Sequence, residues 1–232
     1  MTRWFAMALL SGACAAAPAQ TTGPLAGDAM TERLAACTSC HGKEGRATNA
    51  GYFPRIAGKP AGYLYNQLLN FRDGRRQNAA MAYLLEHLSD DYLREIAEHF
   101  ARLDLPYPPP QTRDAAAAAL ARGAALVRQG DATLSLPACT ACHGERMTGA
   151  LPAVPGLLGL PRDYLNAQLG AWRSGLRRAQ PPDCMASIAR RLALDDISAL
   201  SLWLSSQPVP ADASPQAAPA SKLPLDCGGA KP

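Results

Sequence analysis

Two short motifs of cysteine and histidine carry the clearest chemical signal in this chain of 232 residues. Each has the form C-x-x-C-H, and together they comprise Cys37, Cys40, His41, Cys139, Cys142 and His143. Two thiols three positions apart lie about one helical turn from each other, so both can form thioethers with the vinyl groups of one porphyrin edge. The adjacent histidine can then bind the iron. The motifs therefore predict two covalently attached haem c groups.

Cysteine pairs of this spacing also occur in zinc sites, redox-active dithiols and disulfides. A shared zinc ion would need the two pairs to converge, whereas each pair lies in its own copy of a sequence repeat. A thioredoxin-like dithiol would need a surrounding β-α-β pattern, which the sequence does not show. Haem attachment is the favoured interpretation.

A second axial ligand is expected on the other face of each haem, because electron-carrying c-type haems are commonly bound by histidine and methionine. Met81 follows the first motif histidine by 40 residues, and Met185 follows the second by 42. The other four methionines lie in the N-terminal segment or too close to a motif: Met1, Met7, Met30 and Met147. The predicted iron ligands are His41 with Met81 and His143 with Met185.

Three other residues are rival ligands. His87 and His99 lie within reach of the first haem, but neither has a counterpart in the second repeat. Cys184 directly precedes Met185, and a thiolate ligand there would sharply lower the reduction potential of the second haem. The paired methionines favour histidine and methionine at both irons.

Several recurring residues near the motifs each have two interpretations. The carbonyls of Pro54 and Pro155 either accept a hydrogen bond from the motif histidine or simply form turns. The recurring tyrosines and arginines either meet haem propionates or serve in packing and surface ion pairs: Tyr63, Tyr164, Arg72 and Arg173.

An internal repeat organises the chain. The segment Pro54–Gly74 recurs as Pro155–Gly175 at a constant offset of 101, with nine identical positions. The motifs are offset by 102, and the two candidate methionine ligands by 104. Two homologous domains are the simplest explanation.

Each repeat predicts the same helical plan. Helices are expected over about 28–37 and 114–128 before or at the motifs, then over 63–71 and 164–172. Terminal helices are expected after the acidic residues at 90–91 and at 195–196, which suit a helix N-terminus. No strand pattern is convincing, so the predicted class is all-α, with two tandem cytochrome c domains.

The predicted boundaries follow the composition of the chain. The proline-rich segment Leu105–Pro110 cannot continue a helix. We expect a signal peptide over 1–19, a first domain over 20–104, a linker over 105–112 and a second domain over 113–207. Residues 208–232 are rich in proline and alanine without a periodic apolar face, and they predict a largely disordered tail.

The N-terminus has the features of a secretory signal. Arg3 precedes a short apolar run, and small residues follow up to Ala19. No stretch approaches the roughly 20 apolar residues of a membrane-spanning helix, so a periplasmic protein without a transmembrane anchor is predicted. A lipid anchor at Cys14 is an alternative, although Ser11 replaces the large aliphatic residue usual at that point.

The formal net charge is +4, without the dense basic runs of nucleic-acid binders, so no nucleic-acid partner is expected. Residues 20–104 hold ten basic and ten acidic groups, whereas residues 105–207 hold ten and seven. The excess in the second half suggests docking of an acidic partner, with a solvated face as the alternative. The candidate side chains are Arg177, Arg178, Arg190 and Arg191.

Cysteine counting predicts one disulfide. Signal cleavage removes Cys14, and haem attachment uses four of the remaining six cysteines. Cys184 and Cys227 then remain as a pair in an oxidising compartment, which favours a bond between them.

With these features the chain resembles the tandem dihaem class I cytochromes c of the c4 kind. The resemblance covers about residues 25–207 and is carried by CTSCH with Met81, by CTACH with Met185, and by the loops FPRIAG and VPGLLG. The second domain departs from the family pattern at Glu145–Met147 and at Pro181–Cys184.

The resemblance implies an electron-transfer protein of the respiratory chain that feeds a terminal oxidase, and not an enzyme. An electron-accepting subunit of a periplasmic dehydrogenase is an alternative. A dihaem redox enzyme, such as a peroxidase or a thiosulfate-oxidising cytochrome, is a further alternative, but it would need a haem with an open or unusual distal position.

Overall fold

The computed structural model describes Met1 and residues 28–48, 52–111, 116–218 and 222–230. Helices dominate this part of the chain, with one hairpin of two-residue strands. In the first half the helices are α1 Asp28–Arg33, α2 Ala35–His41, α3 Ala61–Arg72, α4 Ala79–Leu85 and α5 Asp90–Ala101. In the second half they are α6 Ala117–Arg128, α7 Thr140–His143, α8 Arg162–Ser174, α9 Cys184–Arg191 and α10 Leu194–Ser206. The strands β1 Gly149–Ala150 and β2 Val154–Pro155 pair antiparallel.

Each half buries its own apolar core. In the first half α5 packs on α3, and Leu93, Ile96 and Phe100 of its apolar face are buried. In the second half α10 packs on α6 and α8, and Ile197, Leu200 and Leu204 are buried. The helical spacing of these residues predicted both faces, and the all-α class is confirmed. The exact domain boundaries stay predictions.

Two helices that sequence analysis did not predict carry the candidate methionine ligands. The Asn78 side chain accepts a hydrogen bond from the Met81 backbone N–H at 3.1 Å and so caps α4. The Asp183 side chain accepts from the Ala186 N–H at 2.9 Å and caps α9. Both helices are short, at 7 and 8 residues, so periodicity alone does not reveal them. The capping residue ahead of each methionine is the signal that could have done so.

The two halves meet through backbone as well as side chains. The Gln77 N–H donates to the Leu176 carbonyl at 3.1 Å, and the Arg178 N–H donates to the Arg75 carbonyl at 2.7 Å. The proline-rich segment between the halves is non-helical over residues 103–111. The Arg55 guanidinium holds it by donating to the carbonyls of Leu105 and Pro106.

The prediction of a largely disordered tail is wrong for the residues that the structure describes. Gln216 exchanges backbone hydrogen bonds with the β1 segment, donating to the Gly149 carbonyl and accepting from the Leu151 N–H, both at 2.8 Å. Asp212 pairs with Arg146 at 2.6 Å. Backbone pairing of this kind needs no periodic apolar face, which is why the sequence pattern did not reveal it.

Two predictions concern residues outside the described ranges, namely the signal peptide over 1–19 and lipidation at Cys14. Within the described ranges, no helix has the length and apolar character needed to cross a membrane.

Candidate haem sites

One apolar cavity of about 910 Å³ extends through both halves of the protein. All eight residues predicted to attach or ligate haem line it: Cys37, Cys40, His41, Met81, Cys139, Cys142, His143 and Met185. Its other walls are mainly leucines and aromatic rings of the two cores. Apolar walls with a few placed polar groups are typical of cofactor sites.

The two motif histidines are buried and oriented by backbone carbonyls. His41 is 9% exposed and His143 is 6% exposed. Their Nδ1 atoms donate to the carbonyls of Pro54 and Pro155 at 2.9 and 2.8 Å. This geometry fixes the tautomer and leaves each Nε2 lone pair available to a metal. Of the two interpretations of these prolines, the structure bears out the histidine partner.

Burial keeps both imidazoles neutral. It lowers the pKa of His41 and of His143 below the ordinary histidine value, although the proline carbonyls act in the opposite direction. A neutral imidazole is the form that binds iron. The protonation state of both histidines therefore suits haem ligation.

The motif cysteines lie at the wall of the cavity. Burial raises the pKa of Cys37 and of Cys142, and it raises the pKa of Cys139 to about 11. Neither motif forms an internal disulfide. Over the described ranges, no group of three or more histidine, cysteine or acidic side chains is placed to hold a metal ion.

The rival iron ligands are placed elsewhere. The His87 side chain is 89% exposed and pairs with Glu86. His99 packs edge-on against Phe100, and neither histidine lines the cavity. Cys184 lines it but is bonded to Cys227, with the two Cα atoms 5.2 Å apart. The predicted disulfide is thereby confirmed, and a bonded Cys184 has no thiolate to offer.

Two buried arginines face each other where the halves meet. Arg76 is 9% exposed and Arg177 is 4% exposed, and both line the cavity. Arg76 donates to Tyr164 at 3.0 Å, and Arg177 donates to Gln67 at 2.9 Å, each across the interface. Burial, together with the neighbouring Arg76 charge, lowers the pKa of Arg177. Their hydrogen-bond partners in the described part of the chain are neutral amides and phenols.

Buried cations need anionic partners, because burying an unpaired charge is costly. The carboxylates of haem propionates would supply them. The apolar cavity therefore suits the porphyrin ring of a haem, and Arg76 and Arg177 suit its propionates.

The structure decides between the two interpretations that the sequence left open for the recurring arginines and tyrosines, and it corrects the docking role suggested for Arg177. Arg72 pairs with Asp90 at 2.7 Å, and Arg173 donates to the Leu192 carbonyl at 2.5 Å, so neither supports the propionate interpretation. The two recurring tyrosines instead hydrogen-bond to the interface arginines of the opposite half. Arg177 is buried at that interface, so it does not belong to an exposed docking face. The recurrence of G-x-R after both α3 and α8 could have identified the pair.

Lys59 is another residue that sequence analysis missed. It is 4% exposed, and its Nζ donates across the interface to the Gly156 carbonyl at 2.9 Å. Gly156 directly follows the proline whose carbonyl orients His143. Burial and the Arg55 charge lower the pKa of Lys59 to about 7.

No family model matches the sequence. The thiosulfate dehydrogenase electron acceptor of Thiomonas intermedia is 35% identical over 209 residues, which span 90% of this chain and 93% of that protein. Cytochrome c4 of Pseudomonas aeruginosa is 35% identical over 185 residues, which span 77% and 88% of the two chains.

Two solved structures are similar as well. Reduced recombinant cytochrome c4 from Pseudomonas stutzeri has a TM-score of 0.67 at 30% identity, covering 77% of this chain and 97% of that one. The thiosulfate dehydrogenase TsdBA from Marichromatium purpuratum has a TM-score of 0.65 at 33% identity. That likeness covers 75% of this chain and 36% of the other.

Proposed function

The chain belongs to the cytochrome c4 family of dihaem c-type cytochromes, and from this premise we propose that it is a periplasmic carrier between a dehydrogenase and a terminal oxidase. It is an electron-transfer protein with two tandem cytochrome c domains and two covalently bound haem c groups. The dehydrogenase is proposed because the relative from Thiomonas intermedia is named as the electron acceptor of thiosulfate dehydrogenase. The oxidase is proposed from the family resemblance.

The assignment of the site residues is part of the proposal. Cys37 and Cys40 would hold one haem through thioethers, and Cys139 and Cys142 the other. His41 and Met81 would bind the first iron, and His143 and Met185 the second. The placement of all eight around one cavity is the observation that carries this assignment.

Each haem, when bound, supplies a one-electron couple at its iron. The chain's own residues hold it in place. The proline carbonyls fix the imidazole orientation, the capped helices α4 and α9 present the methionines, and the leucine walls exclude water. Arg76 and Arg177 would hold propionates at the junction of the domains.

If a histidine and a methionine bind each iron, neither haem would keep a position for a substrate. This supports a carrier over a dihaem redox enzyme. The enzyme alternative is tested by adding peroxide or thiosulfate to the purified holoprotein alone. We expect no turnover, and rapid turnover by the isolated protein would contradict the carrier assignment.

The partner assignment is tested by reconstitution. The oxidised holoprotein is mixed with thiosulfate and a purified thiosulfate dehydrogenase, and haem reduction is followed by absorbance. Oxidase-containing membranes are then added, and we expect reoxidation linked to oxygen uptake. Absence of reduction would refute the dehydrogenase partner, and absence of reoxidation would refute the oxidase, so each half fails separately.

A further inference from the structure

The described part of the C-terminal tail, residues 208–218 and 222–230, is bonded to the rest of the chain beside the second candidate haem site. The disulfide joins Cys227 to Cys184, the residue next to Met185. The Gly228 N–H donates to the Pro182 carbonyl at 2.9 Å, and Asn66 of the first domain donates to the Gly229 carbonyl at 3.0 Å. The tail segment 227–229 is therefore held by both domains.

The tail also forms part of the haem cavity wall. Five of its residues line the cavity: Leu223, Leu225, Cys227, Gly229 and Ala230. The fit against the loop before α9 is close, because a Cβ on Gly228 would lie 2.2 Å from the Pro181 carbonyl oxygen. From these contacts we propose that the tethered tail covers the methionine side of the second haem and leaves the first domain as the docking site for redox partners.

The corresponding surface of the first domain is open and apolar. Around Met81 the structure exposes Tyr52 at 64%, Tyr83 at 75% and Leu84 at 42%. The residues aligned with these in the second domain are Ala153, which is buried, Ser187, and Ile188, which packs against the core. Clustered exposed apolar side chains mark interaction sites.

Charge indicates the chemistry of the partner. The first domain carries ten basic and ten acidic side chains, so its side chains supply no net charge to steer a charged partner. Aromatic side chains such as tyrosine are enriched in protein interfaces. The surface therefore fits a redox protein with an apolar docking face, and the rate of electron transfer should change little with ionic strength.

The proposed covering of the second haem by the tail can be tested without a protein partner. Imidazole is added to the oxidised holoprotein, and the loss of the methionine-to-iron charge-transfer band is followed. We expect two phases, with the slower one belonging to the second haem because access there requires local opening of the tail. The double variant Cys184→Ser with Cys227→Ser removes the tether without leaving a free thiol. It should accelerate the slow phase by about tenfold or more.

Asp212→Asn is the matched control, because it removes an exposed ion pair of the tail and keeps the disulfide. It should leave both phases unchanged. The Met81→Ala variant should lose the fast phase and keep the slow one, which assigns the phases to the haems. If imidazole bound both haems of the wild type equally fast, the proposed cover would be overturned. It would also be overturned if the double serine variant left the slow phase unchanged.

The docking site rests on the proposed function and is tested with the reconstituted dehydrogenase. Tyr83 is exposed and does not line the cavity, so Tyr83→Ser should slow haem reduction several-fold without changing the haem spectrum. Leu194→Ser, at an equally exposed position in the second domain, is the control and should have no effect. An unchanged rate in Tyr83→Ser would refute the docking site while leaving the carrier function intact.

Discussion

At the scale of single residues, Lys59 is a basic side chain in a buried environment that disfavours its positive charge. It is buried at the domain interface with a carbonyl partner, and another cation, Arg55, lies nearby. Tyr107 from the segment between the domains lies beside both, with its ring 5.7 Å from the Lys59 ammonium. Burial of a cation without an acid costs stability whenever the group is protonated.

Lys59 should make stability depend on pH in a defined window. Its pKa is about 7 in the folded protein against an ordinary 10.5, so between these values the unfolded chain binds more protons. The contribution to stability therefore rises from pH 7 to 10.5, and the penalty is largest below pH 7. Lys59→Met should be more stable than the wild type at pH 6 by on the order of a few kcal/mol. The advantage should shrink as the pH approaches 10.

Denaturant unfolding of the holoprotein at pH 6, 8 and 10 measures this difference. Lys43→Met removes an exposed lysine and serves as the control. A Lys59→Met difference that is constant over the whole range would show that Lys59 does not titrate in the folded protein near neutral pH.

The ligand assignment is also a prediction about single residues. Met81→Ala should abolish the methionine-to-iron charge-transfer band of one haem, and Met185→Ala that of the other, with covalent attachment of both retained. His87→Ala should leave the spectrum unchanged, since that side chain is 89% exposed. A full charge-transfer band in Met81→Ala would require a different ligand for the first haem.

At the scale of elements, the capped helices α4 and α9 decide where the methionines lie. Each cap satisfies a backbone N–H in the first turn of a very short helix, which has little stability of its own. The Asp183 carboxylate also accepts from the Ala179 N–H at 2.7 Å, so it ties the preceding loop to α9.

Removing either cap should loosen the methionine that the helix carries. Asn78→Ala and Asp183→Ala should each lower the free energy of unfolding by roughly 0.5–2 kcal/mol. They should also speed imidazole binding to the corresponding haem only. Ser89→Ala removes the cap of α5, which carries no ligand, and should lower stability without that selective effect. Equal imidazole kinetics in all three variants would contradict the positioning role of α4 and α9.

At the scale of the whole molecule, the buried pair Arg76 and Arg177 joins the domains. Each arginine bonds to side chains of the opposite domain, and a haem propionate on either side would add to the network. The domains are therefore expected to unfold together.

Arg177→Met should uncouple the domains. Losing the bonds to Gln67 and Tyr63 should cost roughly 1–3 kcal/mol, because buried polar partners are left unsatisfied. Calorimetry should then show two transitions in place of one. Arg190→Met is the control, since that residue lies exposed at the end of α9. A single transition in both variants would mean that other contacts are sufficient to couple the domains.

Features that depend on covalent chemistry could be predicted from the amino-acid sequence alone. Attachment of a haem needs two thiols and a histidine at fixed spacing, so CTSCH and CTACH identified the cofactor without knowledge of the fold. The repeat predicted the paired methionines as ligands, and cysteine counting predicted the bond between Cys184 and Cys227, which the structure confirms. Helical spacing of apolar residues predicted α5 and α10, because one buried face imposes its period on the sequence.

Which charges are buried, and where the described part of the tail lies, became clear only from the folded structure. Arg76, Arg177 and Lys59 look like ordinary surface residues in the sequence, and each is buried because the opposite domain packs over it. The tail shows no periodic pattern, since a disulfide and backbone hydrogen bonds to distant loops hold it in place. Contacts between residues far apart in the chain leave no local pattern, so their consequences appear only when the domains are assembled.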